Sequence, residues 1–184
     1  PSMTRSDDVI REVDAAELAA RSDAVRALLA DGVASDASLG FLGPLDDGLG
    51  RAWLDDCARE VAAGTRRVWL ADDAAGAVSG MVHLAHATKQ NAPHRGEVQK
   101  LVVRSDVRGR GLGSRLMIAL ERRAHEAGRW LLVLDTDADS AAVDFYRDRG
   151  WTPLGVIPFF CLSPSGALQG THVFWRDLRE PGDA

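Results

Sequence analysis

Residues Glu97 to Gly128 read EVQKLVVRSDVRGRGLGSRLMIALERRAHEAG, and no other stretch limits the possible fold so strongly. Val98 to Val103 is a short apolar, β-branched run suited to a buried strand. A glycine-rich turn follows, Arg108-Gly109-Arg110-Gly111-Leu112-Gly113. Leu112, Leu116, Leu120 and Ala124 then recur at four-residue spacing, giving a helix one apolar face, and Gly128 stands where glycine commonly ends a helix. A strand, a glycine turn and a helix in immediate succession place the chain in the α/β class.

Such a turn suits an anion. A helix N-terminus presents unpaired N–H groups and a partial positive charge, and glycines let a phosphate approach them closely. Arg108, Arg110 and Arg115 add charge-assisted donors. The plainer alternative is a turn that needs glycine for its backbone angles and arginine for solubility. Two common phosphate fingerprints are excluded: G-x-G-x-x-G from Gly109 would need glycine where Ser114 stands, and no G-x-x-x-x-G-K-[ST] occurs.

What matches is R-x-x-G-x-G at Arg108, Gly111 and Gly113, and here the chain resembles the GNAT acetyltransferase superfamily. The resemblance continues in Leu131 to Gly155, LLVLDTDADSAAVDFYRDRGWTPLG, which is similar to the family's A-x-x-F-Y-x-x-x-G-[FW] element at Ala142, Phe145, Tyr146, Gly150 and Trp151. E-V-Q-K-L, R-G-R-G-L-G, L-D-T and F-Y together look like the tabtoxin-resistance branch, an antibiotic-inactivating type.

The resemblance implies an α/β GNAT fold: a mixed, mostly antiparallel sheet of about seven strands, splayed at its centre, with helices on both faces. It implies acetyl-CoA as cosubstrate. The pyrophosphate is expected at Arg108, Gly109, Arg110, Gly111, Leu112, Gly113 and Ser114, and the pantetheine arm along the backbone of Leu101, Val102 and Val103. Glu97 falls where many members place a general base, and Tyr146, the single tyrosine, falls at the general-acid position. One position departs. The asparagine usual seven residues before the tyrosine is Asp139, so Ser140 is expected to contact the cofactor instead, or Asp139 only to cap the helix.

The chemistry fits these residue types. An alkyl amine has a pKa near about 10 and must lose a proton before attacking a thioester. Asp135 is a second candidate base, since it ends the apolar strand Leu131 to Leu134 and strand ends border the crevice of such sheets. Each acid has an alternative role as a strand-end carboxylate satisfied by backbone amides or arginine, and Tyr146 as a core aromatic. Cys57 and Cys161 lie outside both signature elements, so direct transfer in a ternary complex is expected rather than a covalent relay.

The remainder bounds the partners. A net charge of −5 without a basic run argues against nucleic acid or an acidic membrane surface. Two isolated cysteines fit neither a disulfide framework nor a metal site. No stretch approaches 18 apolar residues and no secretory leader is legible, so a cytoplasmic protein is expected. At 184 residues the chain is read as a single domain, 1–184, with residues 1 to 8 a loose tail.

In order, Val9 to Val13 reads as a strand, and Asp14 as the N-cap of a helix reaching about Ala30. Residues 31 to 50 read as a glycine-rich loop carrying Phe41, Leu42 and Leu45, which borders the acceptor pocket or tucks against the core. Arg51 to Ala63 reads as a helix; Arg67 to Ala71 and Val78 to Ala87 as a hairpin; Trp151 to Phe160 and His172 to Leu178 as final strands. His83 and His86 are three apart on a strand and point to opposite faces, so they cannot easily share a metal; they are read as structural or substrate-facing, with at most one of the two functional. The expected function is acetylation of a small-molecule amine, of antibiotic or toxin type. A protein or peptide amine, or acyl-CoA binding without catalysis, are the alternatives; Phe41, Trp53, Phe159 and Phe160 are expected to close a peptide groove. A homodimer is expected by analogy.

Overall fold

The computed structural model describes residues 8–179. In chain order the elements are β1 (Val9–Val13), α1 (Ala15–Ala20), α2 (Ser22–Ala34), α3 (Asp47–Ala62), β2 (Arg66–Asp72), β3 (Val78–His86), β4 (Arg95–Val103), α4 (Leu112–Glu126), β5 (Leu131–Asp137), α5 (Ala142–Asp148), β6 (Thr152–Leu162) and β7 (Leu168–Asp177). The seven strands form one sheet in the order β1-β2-β3-β4-β5-β7-β6. Every neighbouring pair is antiparallel except β4 and β5, which run parallel.

Alternating side chains on the inner strands feed two cores. On one face Trp69 and Ala71 of β2 and Val82 and Leu84 of β3 pack with Leu112, Leu116, Leu120 and Ala124 of α4 and with α5. On the other, Val68 and Leu70 of β2 and Met81 of β3 pack with Leu28 and Leu29 of α2 and Leu54 and Cys57 of α3. The four-residue apolar spacing in α4 thus covers the centre of the sheet. Helices lie on both faces, as the resemblance implies.

Several boundaries differ from the expectation: β4 begins at Arg95 and β7 at Leu168, earlier than expected, and three departures lie in the N-terminal half. The first helix is broken at Arg21, whose guanidinium bonds Asp72 at the end of β2, so α1 and α2 are separate helices and α2 runs on to Ala34. Asp14 caps α1 as expected, its Oδ1 accepting from Glu17 N at 2.8 Å. The loop expected over residues 31 to 50 shrinks to 35–46, because Asp46 accepts from Leu49 N at 2.9 Å and nucleates α3 four residues early, with Gly48 and Gly50 inside its first turns. The expected loose tail lies outside the described residues except at its end. Asp8 is buried and accepts a 2.7 Å hydrogen bond from Ser79 Oγ, so that residue belongs to the core.

Two features position the site. Pairing between β4 and β5 covers only Arg95, Gly96 and Glu97 against Leu131, Leu132 and Val133, after which the strands part. Gln99 to Val103 therefore keep β3 as their single strand neighbour. Within that free stretch β4 carries a bulge. His83 pairs with Gln99 and Met81 with Val102, so β4 holds one residue more than β3, and Lys100 has φ +53. The bulge reverses the alternation: Val98 packs under α4, whereas Val102, four residues on, packs on the α2–α3 face.

Candidate active site

The glycine turn and the parted strands form one cleft. Gly109 and Gly111 have φ of +75° and +82°, a region open to glycine, and a Cβ built at either would meet nothing within 4 Å. α4 begins immediately after Gly111 with no side-chain cap, so its first amides face the turn unclaimed by a side chain. Leu101, Val103, Val107, Arg108, Gly109, Gly111, Leu112, Gly113, Ser114, Ala142 and Phe145 line a cleft of about 340 Å³. A backbone nest at a helix N-terminus, continued by an apolar trough along an unpaired strand, suits a phosphate with a long uncharged arm.

Three of the residues expected at the cofactor lie outside that lining. Val102 buries its side chain on the α2–α3 face, which leaves its backbone for contact. Arg110 reaches back to the Asp106 carbonyl at 3.4 Å. Ser140 Oγ donates to the Asp137 carbonyl at 2.9 Å, within the turn before α5. Asp139 does not cap α5, whose N-cap residue is Ala141. Arg108, inside the lining, holds the turn to the strand through a 2.9 Å bond from its Nε to Val103 O.

Glu97 and Asp135 stand where β4 and β5 part, whereas Tyr146 belongs to the core on the α4–α5 face. Glu97 makes the last pair with β5 and is exposed; its Oε1 accepts from Gln99 Nε2 at 2.7 Å. Asp135 is exposed on β5, two residues beyond that pair, and its Oδ2 accepts from Thr171 Oγ1 at 2.8 Å. Tyr146 is buried in α5, its ring against Phe145, Trp151 and Phe174 at centroid distances of 5.2, 5.9 and 5.8 Å. Burial, reinforced by the negative charge of Asp135, raises its pKa above the usual phenol value, so the hydroxyl keeps its proton.

Lys100, Arg66 and Gln99, which the sequence did not single out, join Phe41, Trp53 and His83 to complete the centre on the α2–α3 face. The bulge places Lys100 under Phe41 and Trp53, its Nζ 5.6 Å from each ring centroid. Trp53 also stacks on His83 at 5.4 Å and meets Phe41 edge-on at 5.8 Å. Arg66 bonds Gln99 Oε1 at 2.8 Å and pairs with Glu60. Burial lowers the pKa of Lys100, helped by the charge of Arg66, while Asp135 and Glu97 oppose the shift; all three therefore stand within electrostatic reach of its ammonium. A lysine beside Gln99 within the run Val98 to Val103 was the available signal in the sequence.

Phe41 and Trp53 accordingly face this centre, but Phe159 and Phe160 do not: they stand 76% and 52% exposed on the edge strand β6. His83 is fully buried and His86 Nδ1 lies 3.1 Å from Gly64 O, so both serve packing. Burial pushes the Cys57 thiol up to about 11, which keeps it from acting as a nucleophile. Among the described residues no helix is long and apolar enough to cross a membrane.

Comparison with known proteins identifies the family and the fold. Residues 33–151 match the model of the acetyltransferase (GNAT) family. The chain is 30% identical over 151 residues to an L-methionine sulfoximine/L-methionine sulfone acetyltransferase of Pseudomonas aeruginosa, covering 81% of this chain and 83% of that one. In fold it is similar to an N-acetyltransferase from Staphylococcus aureus Mu50 (TM-score 0.76, 18% identity, 95% and 100% of the two chains). It is also similar to a GNAT phosphinothricin acetyltransferase from Sinorhizobium meliloti solved with acetyl-CoA (TM-score 0.72, 18% identity, 96% and 91%). The chain belongs to the GNAT acetyltransferase family and is an acyltransferase.

Proposed function

We propose that this protein transfers the acetyl group of acetyl-CoA to the primary amine of a small, amino-acid-like molecule, as a resistance-type enzyme. The observation that carries this reading is the pair of exposed acids, Glu97 and Asp135, where β4 and β5 part, with the glycine-lined cleft running along the freed stretch of β4. The relative named for methionine sulfoximine and methionine sulfone favours an amino-acid acceptor.

Acetyl-CoA supplies the activated thioester; the amides of Gly111 to Ser114 and the Arg108 side chain would hold its phosphates. Glu97 and Asp135, exposed and close to the parting strands, accept the proton that an incoming ammonium must lose, directly or through water. An N–H of the free β4 edge is available to a developing oxyanion. Tyr146 holds a proton at the opposite side. Because its pKa is raised, transfer to a thiolate of pKa near about 8.5 is uphill, so the hydroxyl first hydrogen-bonds the departing sulfur and gives up the proton late. Cys57, held protonated, supports direct attack over a covalent relay.

A homodimer belongs to the same proposal. β6 is an edge strand without a charged residue, and Leu154, Val156, Phe159 and Phe160 are exposed along it, which suits the same strand of a second copy.

The test is release of free thiol from acetyl-CoA in the presence of amino acids, methionine sulfone, polyamines, aminoglycosides and a histone-like peptide. Turnover confined to amino-acid-like acceptors is expected. Turnover of the peptide alone, or none with acetyl-CoA still bound, would overturn the reading.

A further inference from the structure

Lys100 is the one cation at the parting of the strands whose charge has no hydrogen-bonded partner among the described residues. Glu97 is taken by the Gln99 amide and Asp135 by the Thr171 hydroxyl, at 2.7 and 2.8 Å. Arg66 is paired with Glu60 and bonded to Gln99. The contacts of the Lys100 ammonium are the faces of Phe41 and Trp53. Rings attract a cation but accept none of its three N–H donors in the way an oxygen does.

The chain goes to some length to put it there. Lys100 occupies the bulge with φ +53, a conformation that a non-glycine residue rarely adopts and that persists when its surroundings enforce it. The loop over it turns at Gly40, φ +77, where an added Cβ would lie 3.5 Å from Nζ. A lysine needed only as counter-ion to the acids would be bonded to one of them. Instead the acids and the ammonium stand within one another's field with their hydrogen bonds directed elsewhere, so charges of both signs are left open to a ligand at the parting of β4 and β5.

A ligand complementary to that arrangement carries an ammonium and an anion a few ångströms apart. We propose that Lys100 binds the α-carboxylate of a zwitterionic amino-acid acceptor, orienting its amine toward Glu97 and Asp135. This rests on the small-amine reading above and names the group on the acceptor that the site selects. An amine without a carboxylate would leave the half-buried ammonium facing it unpaired, which converts one hydrogen-bonded charge into a filter on substrate class.

The experiment compares three acceptors: L-methionine sulfone, its α-amide, and the decarboxylated amine 3-(methylsulfonyl)propylamine. Each is assayed with the native protein, Lys100→Met and Lys100→Arg. The native protein should prefer the acid over the amide by at least about 10-fold in kcat/KM, the size of one charge-assisted bond. Lys100→Met should lower kcat/KM for the acid about 30-fold, mainly through KM, and bring the acid-to-amide ratio close to one. Lys100→Arg should keep a preference for the acid, a rescue that a purely structural role does not explain. Acetyl-CoA titration reports whether each variant is folded, and Lys100→Gln replaces the methionine variant if that one is not. Turnover of all three amines by the native protein without preference for the acid, or an unchanged ratio in a folded Lys100 variant, overturns the assignment and leaves the small-amine reading standing. Silence on all three with acetyl-CoA bound, while an amine without a carboxylate from the panel above turns over, overturns the assignment alone; silence across that whole panel removes both.

Discussion

Replacing Tyr146 by phenylalanine separates its chemical role from its structural one. The ring is held by Phe145, Trp151 and Phe174, and phenylalanine keeps all three contacts. The hydroxyl makes no hydrogen bond among the described residues, so its removal strands no partner. Stability should change by no more than about 0.5 kcal/mol, a shift in Tm of about 2 °C or less. The rate behaves differently. Positioned acid catalysis contributes about 100-fold to 10,000-fold, so kcat should fall at least about 100-fold, or about 2.7 kcal/mol in activation free energy. Acetyl-CoA affinity should stay within about threefold, since Tyr146 does not line the glycine-turn cleft proposed for the phosphates. Thiol release for kcat, calorimetric titration for affinity and a melting curve for fold make the set. The raised pKa adds a signature: the phenol remains protonated at pH 10, so any loss of native activity between pH 8 and 10 should persist in Tyr146→Phe. An unchanged kcat would remove Tyr146 as the acid; a collapse in Tm would show that the hydroxyl is structural.

Four further outcomes can be checked. His83 is buried and neutral, its pKa driven well below 6.5 by burial and then by Arg66 and Lys100, so below pH 6.5 the unfolded chain binds a proton that the folded chain refuses. Stability should therefore fall as pH drops below 6.5, by no more than about 1.4 kcal/mol per pH unit, and His83→Asn should flatten that slope. Glu121 is buried and accepts from Trp151 Nε1 at 3.2 Å and Arg176 Nη1 at 3.3 Å while pairing with Arg149, so Glu121→Ala should cost about 3 kcal/mol in a denaturant titration. Gly111→Ala forces φ +82 on a residue with a Cβ at the mouth of the cleft; KM for acetyl-CoA should rise at least about tenfold, with a stability loss of about 1–2 kcal/mol. Phe159→Asp on the exposed face of β6 should shift the mass measured by light scattering from dimer to monomer; a native protein that is already monomeric refutes that part of the proposal.

The motifs that carry local backbone chemistry were legible in the sequence. Gly109 and Gly111 announce a turn because the φ values it needs exclude other residues, and the leucines of α4 announce the buried face because the helix repeat is fixed. The loop before α3 was misjudged for a related reason. Gly48 and Gly50 look like breakers, but the Asp46 cap and tertiary packing outweigh about 1 kcal/mol per glycine. Lys100 was missed because a bulge is a mismatch in count between two strands. Nothing in β4 alone reveals that β3 has one residue fewer between His83 and Met81. The three-pair seam between β4 and β5 was legible only through family resemblance, since an unpaired strand edge leaves no mark on composition.

That seam also divides the sheet mechanically. Strands β1 to β4 form one antiparallel meander, and β5, β7 and β6 form a second antiparallel group in which β7 lies between the other two. The backbone ladder between them is three residue pairs long, and the remaining connection on that side runs through α4 and its core. Such a sheet is a hinge awaiting a splint. A ligand that bonds the free edge of Gln99 to Val103 joins the two halves as a missing strand would, stiffening the molecule in proportion to its occupancy. Slowed amide exchange along that edge, spreading into β5, would then measure binding at a distance from the phosphates that anchor it.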